Sequence, residues 1–480
     1  MTHSYPAMFD FEGFNAPSRI EVDVYDLIVE GRIPDEIVGT WFRAIPDHQF
    51  PPKFADDTYL SGDGMVSALR IGNGHADWQQ RYVMTERLKD DRAARRALHG
   101  LYRNPYTDDP SVAGHDRTVA NTTPVWHGGR LLLTKEDGLP YEVDPMTLET
   151  KGQFNYGGRL RSQTFTAHPR LDYDTGEMFF FGYEASGLAT RDVAFCIEDR
   201  NGELIHEEWF EAPYVSLMHD FLVTKEHIVF PVWPMTSDLA RLKAGGAHWV
   251  WEPEKGSYIG IMPRQGSVKH LRWYHLEPRS AFHYLNAHSE GSRVHIDFAP
   301  GKVVGFPFIQ KASGIRVPPE KMGGRGLVRW TFDLAKPGDT FEESVIGPGG
   351  DMPAVAIRDQ MKDYEIGYYQ TYFPQNGPPH IAGPVGAGFN TVCRIEVKTG
   401  KLGTYAPGPE DTVQEHVHIA SKTPGHEGYL LFVVDLHDRM GSEIQLLEAG
   451  KIESGPIARI EMPFRLRCQV HGNWVPASAA

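Results

Sequence analysis

One recurrent unit constrains this chain more than any other feature: a β-rich run, a polar turn with Gly, Asp or Pro, then a second β-rich run. It appears at MVSALRIGNGHADWQQRYV (65–83), LPYEVDPMTLETKGQF (139–154), VAFCIEDRNGELIHEEWF (193–210), LVRWTFDLAKPGDTFEESV (327–345) and VCRIEVKTGKLGTYA (392–406). Further strand-like runs lie between these pairs: RLLLTKE, EMFFFGYE, HIVFPVWP, RVHIDFA and YLLFVVDL. Repeated small antiparallel sheets predict an all-β chain and, by radial repetition, a β-propeller. The irregular period leaves the blade count open. The 49 glycines and 35 prolines are spread along the chain rather than gathered in a linker, so residues 1–480 read as a single domain. The one convincing helix spans Glu86 to Leu101 and is expected over one face of the propeller.

Composition narrows the partners. A formal net charge of -15 repels phosphate backbones and anionic membrane surfaces, which argues against nucleic acid and lipid headgroups. The longest apolar run, Tyr429 to Val434, is far below the roughly 20 residues of a membrane-spanning helix. The N-terminus MTHSYPAMFDFEGF lacks a basic region followed by an apolar core. Cys196, Cys393 and Cys468 are scattered, without CxxC spacing, which suits a reducing compartment and excludes a thiolate zinc site. The expected location is the cytoplasm.

No GxSxG elbow, HExxH, GxxxxGK[ST] or strand–GxGxxG–helix pattern is present. Histidine stands out instead: there are 22, several closing a strand-like run, as in QTFTAHPR (His168), YVSLMHDF (His219), SAFHYLNAH (His283) and LRCQVHGNW (His471). Neutral imidazole is the commonest metal ligand. Gaps of 51, 64 and 188 residues exclude a local motif but suit histidines contributed by different blades to a central axis. A single strand histidine is more often a hydrogen-bonded residue than a ligand. His416 and His418, two apart on one strand face, show that spacing alone cannot choose.

These contexts, with SGDGM (61–65), LYRNPYTDDPSV (101–112) and KEDGLPYEVDPMTLET (135–150), resemble the carotenoid cleavage oxygenase family, from about Arg19 to Trp474. Within it they are most similar to the branch that acts on lignostilbenes and isoeugenol. The resemblance implies a seven-bladed β-propeller with a helical or loop dome over an axial Fe(II). It also implies that His168, His219, His283 and His471 hold that iron and that carboxylates at Glu136, Glu415 and Asp351 orient the imidazoles. At Asp351 the family usually has glutamate, so the shorter arm is expected to reach its imidazole less well. His288, in NAHSEG, is an extra imidazole that reads more readily as a substituted packing aromatic than as a fifth ligand.

The same resemblance assigns Tyr102 (LYRNP) and Lys135 (TKEDG) to the substrate's 4-hydroxyl, with Lys135 either stabilising a phenolate or acting as general base. Lys135 and Glu136 are adjacent, so on a continuous strand they point to opposite faces. Both roles therefore require the strand to end or bulge there; Lys135 is assigned to the substrate cavity and Glu136 to the histidines. Leu60 and Phe306 are expected pocket walls. The implied function is O₂-dependent cleavage of the central C=C of a 4-hydroxystilbene into two aromatic aldehydes, vanillin-type products among them. Alternatives are a propenylphenol such as isoeugenol, an apocarotenoid, or, outside enzymes, a propeller scaffold, which would need no axial histidines. The expected partners are the phenolic substrate and O₂, with homodimerisation left open.

Overall fold

In a computed structural model of the protein, residues 4–306, 308–311 and 326–479 are described. The chain divides into two compact units: Met1–Asn155 with Gln370–Arg394 and Gly403–Ala480, and Tyr156–Tyr369 with Ile395–Leu402.

All five sequence hairpins form antiparallel strand pairs. Gly64–Gly72 pairs with His75–Tyr82 across Asn73–Gly74, two residues with φ of 53° and 81°, the left-handed values that a two-residue type I′ turn demands. Tyr141–Val143 pairs with Thr150–Gln153, Asp192–Glu198 with Leu204–Glu211, and Leu327–Asp333 with Glu342–Gly347. Thr391–Glu396 neighbours Lys401–Tyr405. The intervening runs supply the remaining central strands, Arg130–Thr134, Glu177–Tyr183, His227–Val232, Arg293–Phe298 and Tyr429–Leu436. Among the described residues seven sheets of four or more strands result, with one three-stranded sheet besides, and the fold class is an all-β, seven-bladed β-propeller.

Burial follows the strands. In the first unit Trp41, Leu69, Trp78, Leu431, Val433, Ile444 and Ile460 share one core, which aligns the period-2 apolar positions of two sheets. The second unit relies on aromatic rings: Phe221 stacks on Phe230 at 5.9 Å and meets Phe181 edge-on at 5.0 Å. Phe221 thereby fixes the chain two residues beyond His219.

The expected helix is shorter than its composition suggests. Thr85 caps it by accepting the Leu88 N–H, and it runs only over Glu86–Ala94. Arg95 turns left-handed (φ 56°), and the Asp91 carboxylate accepts the Leu98 N–H at 2.9 Å, folding the remaining segment back. The other α-helix among the described residues is Leu239–Lys243, so the expected covering of the sheets consists mostly of loop and short 3₁₀ turns. No helix of the described residues is long and apolar enough to cross a membrane.

Gly182 ties this framework to the histidines. A Cβ there would collide with the Thr164 carbonyl and the Ser162 hydroxyl, in the segment that leads to His168. Gly182→Ala is expected to destabilise the protein by about 1–3 kcal/mol, the usual cost of overpacking. It should also weaken metal retention, read by a thermal melt beside elemental analysis; a variant matching the wild type in both would contradict this packing.

Candidate metal centre and phenol pocket

Three of the singled-out histidines come together in the second unit. His168 Nε2 lies 3.0 Å from His219 Nε2, which lies 3.1 Å from His283 Nε2, and the ligand nitrogens of the three all fall within 4.8 Å of one another. The rings are steeply inclined, at 74°, 72° and 69° for the three pairs. Two nitrogens about 2.1 Å from one ion are about 3.0 Å apart at a right angle and about 3.4 Å apart at the tetrahedral angle. The two observed spacings are those of neighbouring imidazoles that would hold one ion between them. An all-imidazole set also disfavours Ca²⁺ and Mg²⁺, which take oxygen, and suits iron, copper, nickel or zinc.

Each histidine opens an edge strand rather than closing one, contrary to the sequence expectation. His168 precedes Arg170–Asp172, His219 precedes Leu222–Val223, His283 precedes Tyr284–Glu290, and His471 precedes Gly472–Pro476. The residues before them are short loops pinned by hydroxyls and isolated bridges. Thr166 Oγ1 accepts the His168 N–H at 3.1 Å; Ser216 Oγ donates to the Trp233 carbonyl at 2.7 Å; Ser280 exchanges two backbone hydrogen bonds with Gly301.

Asp351 reaches its histidine fully. Its Oδ1 lies 2.7 Å from His283 Nδ1, correcting the expectation of a longer contact from the shorter side chain. The backbone compensates: Met352 adopts φ 54°, and the same Oδ1 accepts the Met352 N–H at 2.8 Å. In the first unit, Glu415 Oε1 lies at the same 2.7 Å from His471 Nδ1. The other Glu415 oxygen accepts the Gly472 N–H at 2.6 Å and the Gln469 amide at 3.1 Å. Gln469 is in turn gripped by the fully buried Arg43, which also donates to Gln414 at 2.6 Å. A carboxylate on Nδ1 fixes the tautomer and directs Nε2 toward a metal.

The phenol-binding candidates gather in the first unit. The strand Arg130–Thr134 ends one residue before Lys135, so Lys135 and Glu136 both turn inward and both are buried. Lys135 Nζ donates to the Leu60 carbonyl at 3.4 Å and stands 5.5 Å from the centre of the Tyr102 ring. Glu136 faces the Arg103 guanidinium at 3.7 Å. Burial depresses the Lys135 pKa, opposed by Asp137 and Glu136. Burial and then the Glu136 charge push the Tyr102 hydroxyl well above the ordinary tyrosine range, keeping it a neutral donor.

Phe306 sits in the second unit, edge-on to Phe282 at 4.3 Å, and Phe282 meets the His219 ring at 5.4 Å. Phe282, lying between Phe306 and His219, is not among the residues singled out from the sequence, although it directly precedes His283. His288 stacks on His295 at 4.5 Å, and burial lowers its pKa to about 4, as for a packing aromatic. His418 donates to the Glu427 carbonyl at 2.6 Å.

Comparison with known proteins sets this geometry in context. The family described as retinal pigment epithelial membrane protein (RPE65) matches residues 15–476. Isoeugenol monooxygenase of Pseudomonas nitroreducens is 41% identical over 464 residues, covering 96% of this chain and 96% of its own. Lignostilbene-alpha,beta-dioxygenase isozyme III of Sphingomonas paucimobilis is 37% identical, covering 100% and 99%. The crystal structure of Pseudomonas brassicacearum lignostilbene dioxygenase superposes with a TM-score of 0.95 at 37% identity, over 99% of this chain and 100% of that one.

Loss of any one imidazole should empty the centre: His168→Ala, His219→Ala and His283→Ala are each expected to abolish bound metal and turnover. Asp351→Asn should weaken metal retention by about 10- to 100-fold, as much as Glu415→Gln, because the two carboxylates make contacts of equal length. Elemental analysis after desalting reads both; wild-type metal content in Asp351→Asn would contradict its role.

Proposed function

As a member of the RPE65, or carotenoid oxygenase, family the chain is an alkene-cleaving oxygenase, and we propose that it cleaves a 4-hydroxyphenyl alkene, in the first place a 4-hydroxystilbene, at an Fe(II) centre. The observation that carries the substrate class is the pairing of a buried Lys135 with a half-buried Tyr102. An amine with a depressed pKa beside a neutral phenol donor is suited to take the proton of a bound 4-hydroxyl and then to hold the phenolate. The phenolate releases charge through the ring onto the conjugated alkene. That electron supply explains why the chain needs no reductant site: O₂ adds across C=C, the C–C and O–O bonds break, and each carbon leaves as a carbonyl.

Four histidines, His168, His219 and His283 of one unit and His471 of the other, make up the proposed ligand set. Asp351 and Glu415 support the reading by holding Nδ1 of His283 and His471, and Glu136 is assigned to orient a further imidazole. Bound iron would supply the O₂-binding site and, with neutral ligands only, keep its double positive charge. Phe282 and Phe306 supply apolar ring surface. Isoeugenol is the second reading, favoured by the 41% and 40% identities to isoeugenol monooxygenases of two Pseudomonas species. It presents the same 4-hydroxyphenyl group, so Lys135 and Tyr102 would act on it identically. Cys196, Cys393 and Cys468 are buried thiols, which accords with a reducing cytoplasm.

Aldehyde assays with hydroxylated stilbenes, isoeugenol and an apocarotenoid separate these substrates. The 4-hydroxystilbenes are expected to be cleaved and their 4-methoxy analogues not, because methylation removes the proton that must leave. Comparable rates for the two would overturn phenolate activation.

Lys135→Met should lower turnover by about 10²-fold or more while leaving iron bound, and Tyr102→Phe should lower it less. The sign with pH follows from burial: the free amine is the base, so kcat/KM should rise as pH climbs through a Lys135 pKa below the ordinary lysine value of about 10.4. An unchanged limb in Lys135→Met would assign the titration to another group.

A further inference from the structure

The imidazoles of His168 and His219 stand 3.0 Å apart, yet they lead into strands of different sheets and are 51 residues apart in sequence. Their spacing must be imposed from outside the rings. Two residues after His168, Arg170 opens its strand, and Pro169 between them fixes φ and stiffens the link. One residue after His219 comes Asp220, whose side chain is only 1% exposed. The Arg170 guanidinium crosses from one segment to the other: Nη2 donates to Asp220 Oδ2 and Nε to the Phe221 carbonyl at 2.9 Å. The second carboxylate oxygen of Asp220 accepts its neighbour's backbone N–H, Phe221 N, at 2.7 Å. Both carboxylate oxygens are therefore engaged, and Phe221 is itself locked in the aromatic core.

We infer that Arg170 and Asp220 are positioning residues, a clamp that fixes the separation of the His168 and His219 imidazoles before metal arrives. The inference rests on the proposed metal role of those two histidines. A guanidinium fork suits the task because it presents parallel donors in a fixed plane, which a lysine cannot do. The arrangement differs from that of His283 and His471, where a carboxylate touches the imidazole directly. Here the pair acts on the chain beside the ligands and touches neither ring.

A neighbouring ion-pair network supplies the control. Asp172, two residues further along the same strand, binds Lys225 at 2.6 Å and Arg264 at 2.7 Å. This network steadies the same two segments beyond the clamp. If general rigidity were all that mattered, cutting it should loosen the centre as much as cutting the clamp.

The test is a titration of metal-stripped full-length protein with Co(II), followed by its visible d–d absorption, with a thermal melt of each metal-free variant. Arg170→Met and Asp220→Asn are each expected to lower Co(II) affinity by about 10- to 100-fold and to change the band shape as one imidazole is lost. The double variant should be no worse than the weaker single one, since both remove one shared contact. Arg170→Lys should be intermediate. Lys225→Met should lower the melting temperature and leave Co(II) affinity and spectrum unchanged. Wild-type affinity in Arg170→Met and Asp220→Asn, additive losses in the double variant, or an equal loss in Lys225→Met would overturn the clamp. Should Arg170→Met fail to fold, Asp220→Asn and Arg170→Lys carry the same test. Absence of Co(II) binding to the wild type would instead overturn the metal reading, and the clamp with it.

Discussion

Imidazole nitrogens held 3.0 and 3.1 Å apart are the constraint to which the second unit answers. Without a metal, neighbouring neutral rings at that distance share at most one N–H···N bond per contact, and charged rings would repel. The fold resists this by giving each histidine a pinned approach and a strand to follow. Ser and Thr hydroxyls fix the backbone ahead of His168 and His219, the Ser280–Gly301 bridge steadies the approach to His283, and Asp351 sets the tautomer of His283. Such outer contacts raise ligand basicity as well as fixing orientation, so affinity and geometry come from the same side chains.

The first unit supplies the complementary chemistry by burial. A lysine in water is a charged, hydrated point; Lys135 is buried beneath the Leu60 carbonyl and beside Tyr102, where its neutral form gains ground. Asp137 and Glu136 pull in the opposite direction, favouring the ammonium. On the proposed reading the amine would take the proton of a bound phenol, and the ammonium that results would be the form best suited to a phenolate. Tyr102, with its own ionisation suppressed, remains a hydrogen-bond donor throughout.

Local chemistry was legible in the sequence wherever it acts within a few residues. The five hairpins could be read because alternating apolar positions and turn residues such as Asn73–Gly74 determine them locally. The end of the helix at Ala94 could not, since an Arg95 in the left-handed region has no signature in an Arg- and Ala-rich run. Spacing could not separate His168 from His418, because the difference lies in what each ring meets after folding. Resemblance made that choice. Nor did it foretell that Asp351 would reach His283, which depends on a positive φ at Met352, or that Arg170 would find Asp220. Both are long-range consequences of backbone path, invisible in either segment alone.

X-ray absorption at the metal edge of the purified enzyme reads the element and its ligands together. An iron centre held by imidazoles requires an iron edge and an outer-shell pattern of multiple imidazole rings, with no sulfur neighbour. A zinc edge as the only metal, or a shell fitted by carboxylates or thiolates without imidazole scattering, would contradict it.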